Sequence, residues 1–175
     1  MPNSVYIACS MDGYIARPDG GLDWLPPIPE NGADDYGYSD FMNRIDAVVM
    51  GRNTYEVVKG FGEWPYKKPV FVLSSRLKEV PQELVGKVKI LSGTPLDVVS
   101  MLSEMGMNNL YVDGGRTIQS FLQHDLIDEI IITTISVILG EGIPLFGKSG
   151  REFHFRIRES RVLNEMMVQT HYVRS

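Results

Sequence analysis

Read for hydrophobic and polar positions alone, the chain falls into two parts. Up to about residue 125, short apolar runs alternate with stretches of helical period; beyond that, a two-residue period takes over. Val5–Cys9, Ala47–Met50, Pro69–Leu73, Val88–Leu91 and Asn109–Asp113 are strand-length apolar runs, the pattern of strands buried on both faces of a parallel sheet. Between them, Tyr38, Phe41, Met42 and Ile45 recur at i, i+3, i+4 and i+7, which predicts a helix entered near Asp34. Thr54–Lys59 predicts a short helix, and Thr94–Met105 one opened by a capping Thr and by Pro95. A further helix over Thr117–His124 puts Ile118, Phe121 and Leu122 on one side. Ile127–Leu139 is a β-branched run, and Phe153–Arg161 and Met167–Arg174 alternate around Leu163-Asn164-Glu165 as an antiparallel hairpin. Strand–helix alternation followed by this meander predicts an α/β fold of three layers, αβα, with a mostly parallel sheet and an antiparallel edge, in one domain spanning 1–175. No internal repeat or linker interrupts it.

Gly20–Gly37 breaks the pattern with four glycines and three prolines and reads as a long surface loop. The net charge of −5 offers no general attraction to nucleic acid, so any phosphate must be held locally. The start of the chain lacks a secretory pattern, and no window reaches the ~18 apolar residues of a membrane span, so a cytoplasmic soluble protein is expected. Cys9, the one cysteine, sits in an apolar run and reads as a buried thiol. With three scattered histidines, no metal site is expected. The methionines and Trp64-Pro65 read as packing residues.

Chemistry concentrates where apolar runs stop. Three of them end in polar or glycine-rich corners: Gly51-Arg52-Asn53-Thr54, Leu73-Ser74-Ser75-Arg76 and Asp113-Gly114-Gly115-Arg116-Thr117. Ligands of open α/β sheets bind beyond the carboxyl ends of strands, where helix-start amides attract anions. Glycine lets the main chain approach a phosphate, Thr donates to it, and Arg adds a permanently charged fork. Neither G-x-G-x-x-G nor a P-loop motif occurs.

The ordered series S-M-D-G-Y-I-A, G-G-L-D-W, V-V-M-G-R-N-T-Y, V-L-S-S-R, Y-V-D-G-G-R-T-I, L-I-D-E-I-I-I-T and G-E-G-I-P-L-F resembles the dihydrofolate reductase superfamily. Within it, the first and last of these are most similar to the reductase domain of the bifunctional riboflavin-biosynthesis deaminase-reductase, the RibD C-terminal branch. The resemblance implies an eight-stranded sheet with NADPH across the strand ends. It places Thr54 and the amides of Gly51 and Asn53 at the pyrophosphate, and Arg52, Leu73, Ser74, Ser75 and Arg76 at the adenosine and its 2′-phosphate. Asp113 leads into the family's glycine pair, Gly114-Gly115, often a cis peptide, with Arg116, Thr117 and Ile118 toward pyrophosphate and nicotinamide. Ala8, Ile15 and Ala16 match the nicotinamide border, and Gly20–Trp24 the loop that closes over it.

In folate reductases a helix carboxylate fixes the pterin and supports protonation, and here Asp34 and Asp35 stand for it. Apolar-face periodicity favours Asp34, and counting back from Gly51 favours Asp35. Beside Tyr38 and Phe41 such a carboxylate is expected to have a raised pKa through desolvation. Asp12, Tyr38 and Trp24 are the substrate-side candidates, and Arg17, Lys67 and Lys148 the cations for a substrate phosphate. The resemblance thus implies an NADPH-dependent reductase of a small heterocycle, pterin-like or pyrimidine-like. The alternatives are a reductase of 5-amino-6-(5-phosphoribosylamino)uracil in riboflavin biosynthesis and a nucleotide-binding module without turnover. A homodimer through the β-rich C-terminal half is also expected.

Overall fold

The computed structural model describes residues 2–27 and 34–175, so residues 28–33 of the expected loop lie outside the described part. In chain order the strands are β1 (Asn3–Ser10), β2 (Tyr14–Ala16), β3 (Ala47–Gly51), β4 (Val70–Leu73), β5 (Val88–Leu91), β6 (Leu110–Asp113), β7 (Glu129–Ile135), β8 (Ile143–Pro144), β9 (Phe155–Asn164) and β10 (Met167–Arg174). The α-helices are α1 (Tyr38–Asn43), α2 (Arg52–Lys59), α3 (Pro95–Glu104) and α4 (Gly115–Gln123).

Eight strands form one sheet in the order β5-β4-β3-β6-β1-β7-β10-β9, and β2 pairs with β8 in a small ribbon of its own. The six strands from β5 to β7 run parallel, while β7–β10 and β10–β9 pair antiparallel. From β3 the chain winds outward through β4 to β5, then returns to place β6 on the other flank of β3. The carboxyl ends of β3 and β6 therefore flank a topological switch point.

Alternate residues of each strand feed two cores, as a pleat with period two requires. Ala47 and Val49 of β3 join Val98, Leu102, Ile118 and Phe121 on the α3/α4 face. Val48 and Met50 join Phe41 and Tyr55 on the α1/α2 face. The three-layer αβα prediction holds, with every expected strand and helix present. Cys9 is buried as expected, and burial raises its thiol pKa. Trp64 packs edge-on between Tyr55 and Tyr66. The methionines divide: Met50 and Met167 are buried, while Met105 and Met166 are exposed.

One element departs from expectation. The first helix begins at Tyr38, not near Asp34, because Gly37 before it adopts a left-handed conformation, φ 85, and Tyr36 has φ 59. Asp34 and Asp35 lie in the turn ahead of the helix, so helical periodicity cannot be extended back to them.

Candidate active site at the ends of β3 and β6

β3 ends in Gly51 and β6 in Asp113, and a helix starts within two residues of each end. Neither start has a side-chain cap, and each N-cap position is a glycine, Gly51 for α2 and Gly114 for α4. The first-turn amides therefore point past the sheet with no side chain to satisfy them, which makes each an anion-attracting end.

The corners interlock. A Cβ on Gly114 would fall well inside 3.0 Å of the Thr54 Oγ1, and one on Gly51 would lie 3.0 Å from the Thr117 Oγ1. Each corner's threonine thus fills the space that the other corner's glycine leaves. Gly114 also has φ 92, a conformation glycine adopts without strain. Gly115 lies under the small ribbon: its Cβ would meet the Pro144 carbonyl at 2.9 Å and Ile15 at 3.2 Å.

Around these corners Arg52, Asn53, Ser75, Arg76 and Arg116 are exposed. No ion pair involves any of the three arginines among the described residues. On a chain of net charge −5 they form a local positive rim. The Ser74 hydroxyl is already engaged, accepting from the amides of Arg76 and Leu77 at 3.2 and 3.0 Å. Leu73 is half-buried and pairs with Gly51 across the sheet. Ile118 is fully buried in the α3/α4 core, and its amide donates to the Gly114 carbonyl at 2.9 Å, so it presents neither group at the corner. No cis peptide occurs among the described residues, so Gly114-Gly115 differs here from the cis form common in the family it resembles.

The carboxylate that stands out is Asp113. Its side chain points to the α1/α2 face, where Gly114 N–H donates to it at 2.8 Å and the Tyr66 hydroxyl at 3.3 Å. Burial pushes its pKa up to about 6, against the pull of those two donors. Tyr38 nearby is pushed up to about 12 by burial and by the Asp113 charge. Tyr66 and Tyr111 are raised for the same reasons. Sequence reasoning placed Asp113 at the cofactor and did not anticipate its raised pKa. V-D-G-G alone does not show that Tyr66, from a distant stretch of the chain, donates to the carboxyl, or that Tyr38 lies near it.

Asp34 and Asp35 behave differently. Asp34 accepts from the Tyr36 amide at 2.9 Å, and Asp35 from the amides of Gly37 and Ser39 at 3.0 and 2.8 Å. The Ser39 hydroxyl and amide hold the Asp35 pKa below the ordinary carboxylate range, against the raised value expected from the sequence. The Tyr36 carbonyl accepts from the Tyr6 hydroxyl, Gln169 and Arg161 at 2.8, 3.2 and 3.0 Å, which pins the turn to the sheet. That anchoring involves residues from both ends of the chain, which no local motif displays.

Asp12 accepts from the Ser10 hydroxyl at 2.6 Å and from the amides of Leu139 and Gly140 at 3.1 and 2.8 Å. It ties the segment after β1 to the one after β7. Ala8 pairs with Thr133, and Ala16 is buried in the ribbon. Arg17 is bound at 2.6 and 2.9 Å to Asp23, which closes the Gly20-Gly21 turn, and Trp24 follows with its indole N–H buried and unpartnered. Lys67 adjoins Tyr66, whereas Lys148 lines a groove on the α3/α4 face, across the sheet from Asp113.

A family model described as the RibD C-terminal domain matches residues 4–169. A Bacillus subtilis protein of uncharacterised function, YwjB, is 38% identical over 173 residues, covering 98% of this chain and 97% of its own. The crystal structure of a Shewanella sp. PV-4 protein with a provisional riboflavin-biosynthesis name is 46% identical, with TM-score 0.94 over 100% of this chain and 99% of that one. A dihydrofolate reductase from Enterococcus faecalis, solved with NADP(H), shares the fold at 16% identity and TM-score 0.71, covering 99% and 96% of the two chains. No helix among the described residues is long and apolar enough to cross a membrane.

Proposed function

The chain belongs to the family described as the RibD C-terminal domain, and from that premise we propose that it is an NADPH-dependent reductase of a small heterocycle, pterin-like or pyrimidine-like, acting as one domain over 1–175. The observation that carries this reading is the pair of interlocked, uncapped helix starts at the switch point, rimmed by arginines that form no ion pair among the described residues and adjoining a half-buried carboxyl. These residues suit a dinucleotide. The first turns of α2 and α4 would hold its pyrophosphate, and Arg52, Ser75 and Arg76 its 2′-phosphate. Ala8, Ile15 and Ala16 would border its nicotinamide, beneath a loop that includes Trp24. When bound, the cofactor supplies a hydride.

What remains for the protein is to orient the acceptor ring and to hold a proton. Asp113, with a pKa of about 6, retains that proton nearer neutral pH than an ordinary carboxyl does. Tyr66 orients the group through its hydroxyl. Tyr38 would form an apolar wall of the same cleft, and Asp12, Asp34 and Asp35 remain candidates for fixing polar edges of the substrate. A groove of about 600 Å³ opens beside Tyr66, lined in part by Lys67 and Lys87. Those cations favour a second reading, reduction of a ribosylaminopyrimidine phosphate in riboflavin biosynthesis, which the provisional name of the Shewanella protein also suggests. The proposal includes a cytoplasmic setting, a small-molecule partner and a homodimer, and no nucleic acid.

The test is a titration of the protein with NADPH and separately with NADH, following energy transfer from Trp24 and Trp64. The expected result is micromolar NADPH binding with NADH at least tenfold weaker, about 1.4 kcal/mol. Pterins and aminopyrimidine phosphates are then compared as acceptors. Binding of neither nucleotide would overturn the proposal.

A further inference from the structure

The two arms of the β2–β8 ribbon are tied to one another by several backbone bonds. The Met11 amide donates to the Val137 carbonyl at 2.8 Å, the Leu145 amide to the Gly13 carbonyl at 2.9 Å, and Asp12 accepts from the amides of Leu139 and Gly140. Gly142 lets the arms close, since a Cβ there would fall on the Ala16 carbonyl and lie 3.1 Å from the Tyr14 side chain. Toward α4 the hydrogen bonds narrow to one side chain. Among the described residues, the two that join the β8 arm to the helix both come from Gln119, whose Nε2 donates to the carbonyls of Pro144 and Leu145 at 3.2 and 3.3 Å.

Helix geometry accounts for the choice of position. Gly115 and Gln119 are four residues apart, so they stand one above the other on the same face of α4. The bare Gly115 lets the Pro144 carbonyl and Ile15 come close, and one turn further on Gln119 meets the same segment with its amide. A carboxamide nitrogen carries two hydrogens, one for each carbonyl. A second glycine sets the other end of that group: a Cβ on Gly147 would lie 2.6 Å from the Gln119 Oε1 and 3.1 Å from its Cδ. Gln119 is half-buried and held between these neighbours, not a solvated surface amide.

We propose that Gln119 is a positioning residue, a latch that fixes the height of the ribbon above Gly114-Gly115 and with it the place of Ile15 and Ala16, while Gly147 keeps the latch in register. The inference rests on the reductase reading, in which Ile15 and Ala16 border the nicotinamide. Its contacts are with the ribbon backbone, so it acts on the nicotinamide half of the dinucleotide and not on the adenosine half at Arg52, Ser75 and Arg76.

Hydrogen exchange without ligand reads the latch itself. Gln119→Glu keeps the shape and removes the donor, and Gln119→Ala removes the group. In both, the amides of β2 and of Leu145 should exchange at least about tenfold faster than in wild type, while those of β3 and β6 keep their protection. Unchanged exchange in the ribbon would overturn the proposal whatever the nucleotide does. Binding then separates the two halves of the cofactor. NADPH should bind both variants about tenfold more weakly, whereas adenosine 2′,5′-bisphosphate, which lacks the nicotinamide, should bind them as it binds wild type. Equal losses for the two ligands would overturn the proposal in favour of a general packing role. Gly147→Ala, which crowds the carboxamide from the other side, should reproduce the NADPH loss and add nothing to it in the Gln119→Ala background; additive losses would overturn the pairing of the two residues. A wild type that binds neither ligand overturns the reductase reading, and the exchange result still decides the latch.

Discussion

At the start of α3 the Thr94 hydroxyl accepts from the Asp97 amide at 3.2 Å, while the Asp97 carboxylate accepts from the Thr94 amide and hydroxyl at 2.8 and 2.7 Å. At the starts of α2 and α4 the corresponding positions are glycines, and no side chain caps either helix. The first arrangement satisfies its amides within the chain, for about 1 kcal/mol of stability, and offers nothing to a ligand. The second leaves donors unsatisfied at two adjacent strand ends and surrounds them with arginines. A helix start closed by its own side chains serves stability; one left open beside a second open start keeps its donors available to a ligand. The difference is written in the residue types, Thr-x-x-Asp against Gly-Arg and Gly-Gly.

Substitutions can break this comparison, and the largest effect is expected at Gly114. Gly114→Ala adds a Cβ at positive φ against Thr54 and should cost about 3 kcal/mol of stability in urea, with NADPH binding lost. Wild-type affinity and midpoint in that variant would mean the corners do not interlock.

Asp113→Asn comes next, through pH. The folded pKa of about 6 lies above the ordinary 3.8, so the carboxyl's contribution to stability is complete below about pH 4 and is lost as pH rises through 6. The asparagine variant should therefore gain on wild type by about 2–3 kcal/mol between pH 4 and 8, read from paired denaturation curves. Glu129, held low overall by Ser4, Arg44 and His171 despite burial, acts in the opposite direction but is common to both proteins. A difference independent of pH would remove Asp113 as the proton-holding group, and turnover should fall in the same variant.

Arg52→Ala combined with Arg76→Ala should weaken NADPH at least tenfold, about 1.4 kcal/mol, and leave NADH nearly unchanged. Equal losses would place the 2′-phosphate elsewhere. The smallest effect belongs to the closed start: Thr94→Ala should lower stability by about 1 kcal/mol and leave NADPH affinity as it was. A change in nucleotide binding there would erase the distinction between the two kinds of helix start.

Legibility in the sequence followed the same division. α3 was readable from Thr94 and Pro95 because its cap is local, and the β9–β10 hairpin from alternation alone. The corners were visible as glycine-rich strand ends, but their interlock was not, since Gly51 meets Thr117 and Gly114 meets Thr54 only after β3 and β6 become neighbours. The start of α1 was misjudged because apolar spacing from Tyr38 onward carries no information about the left-handed Gly37 ahead of it. Asp113 lacked a signal for its raised pKa because Tyr38 and Tyr66 reach its surroundings from distant stretches of the sequence.

The crossed fit of glycines and threonines also bears on how such a chain can vary. Gly51 and Thr117 constrain one another across two distant stretches of sequence, so that a larger residue at 51 calls for a smaller one at 117, whereas Gly114, at φ 92, is strained by any side chain whatever stands at 54. A library that randomises either corner alone samples mostly dead variants. One that varies Gly51 with Thr117 and keeps Gly114 explores combinations that can alter the corner without first losing the fold.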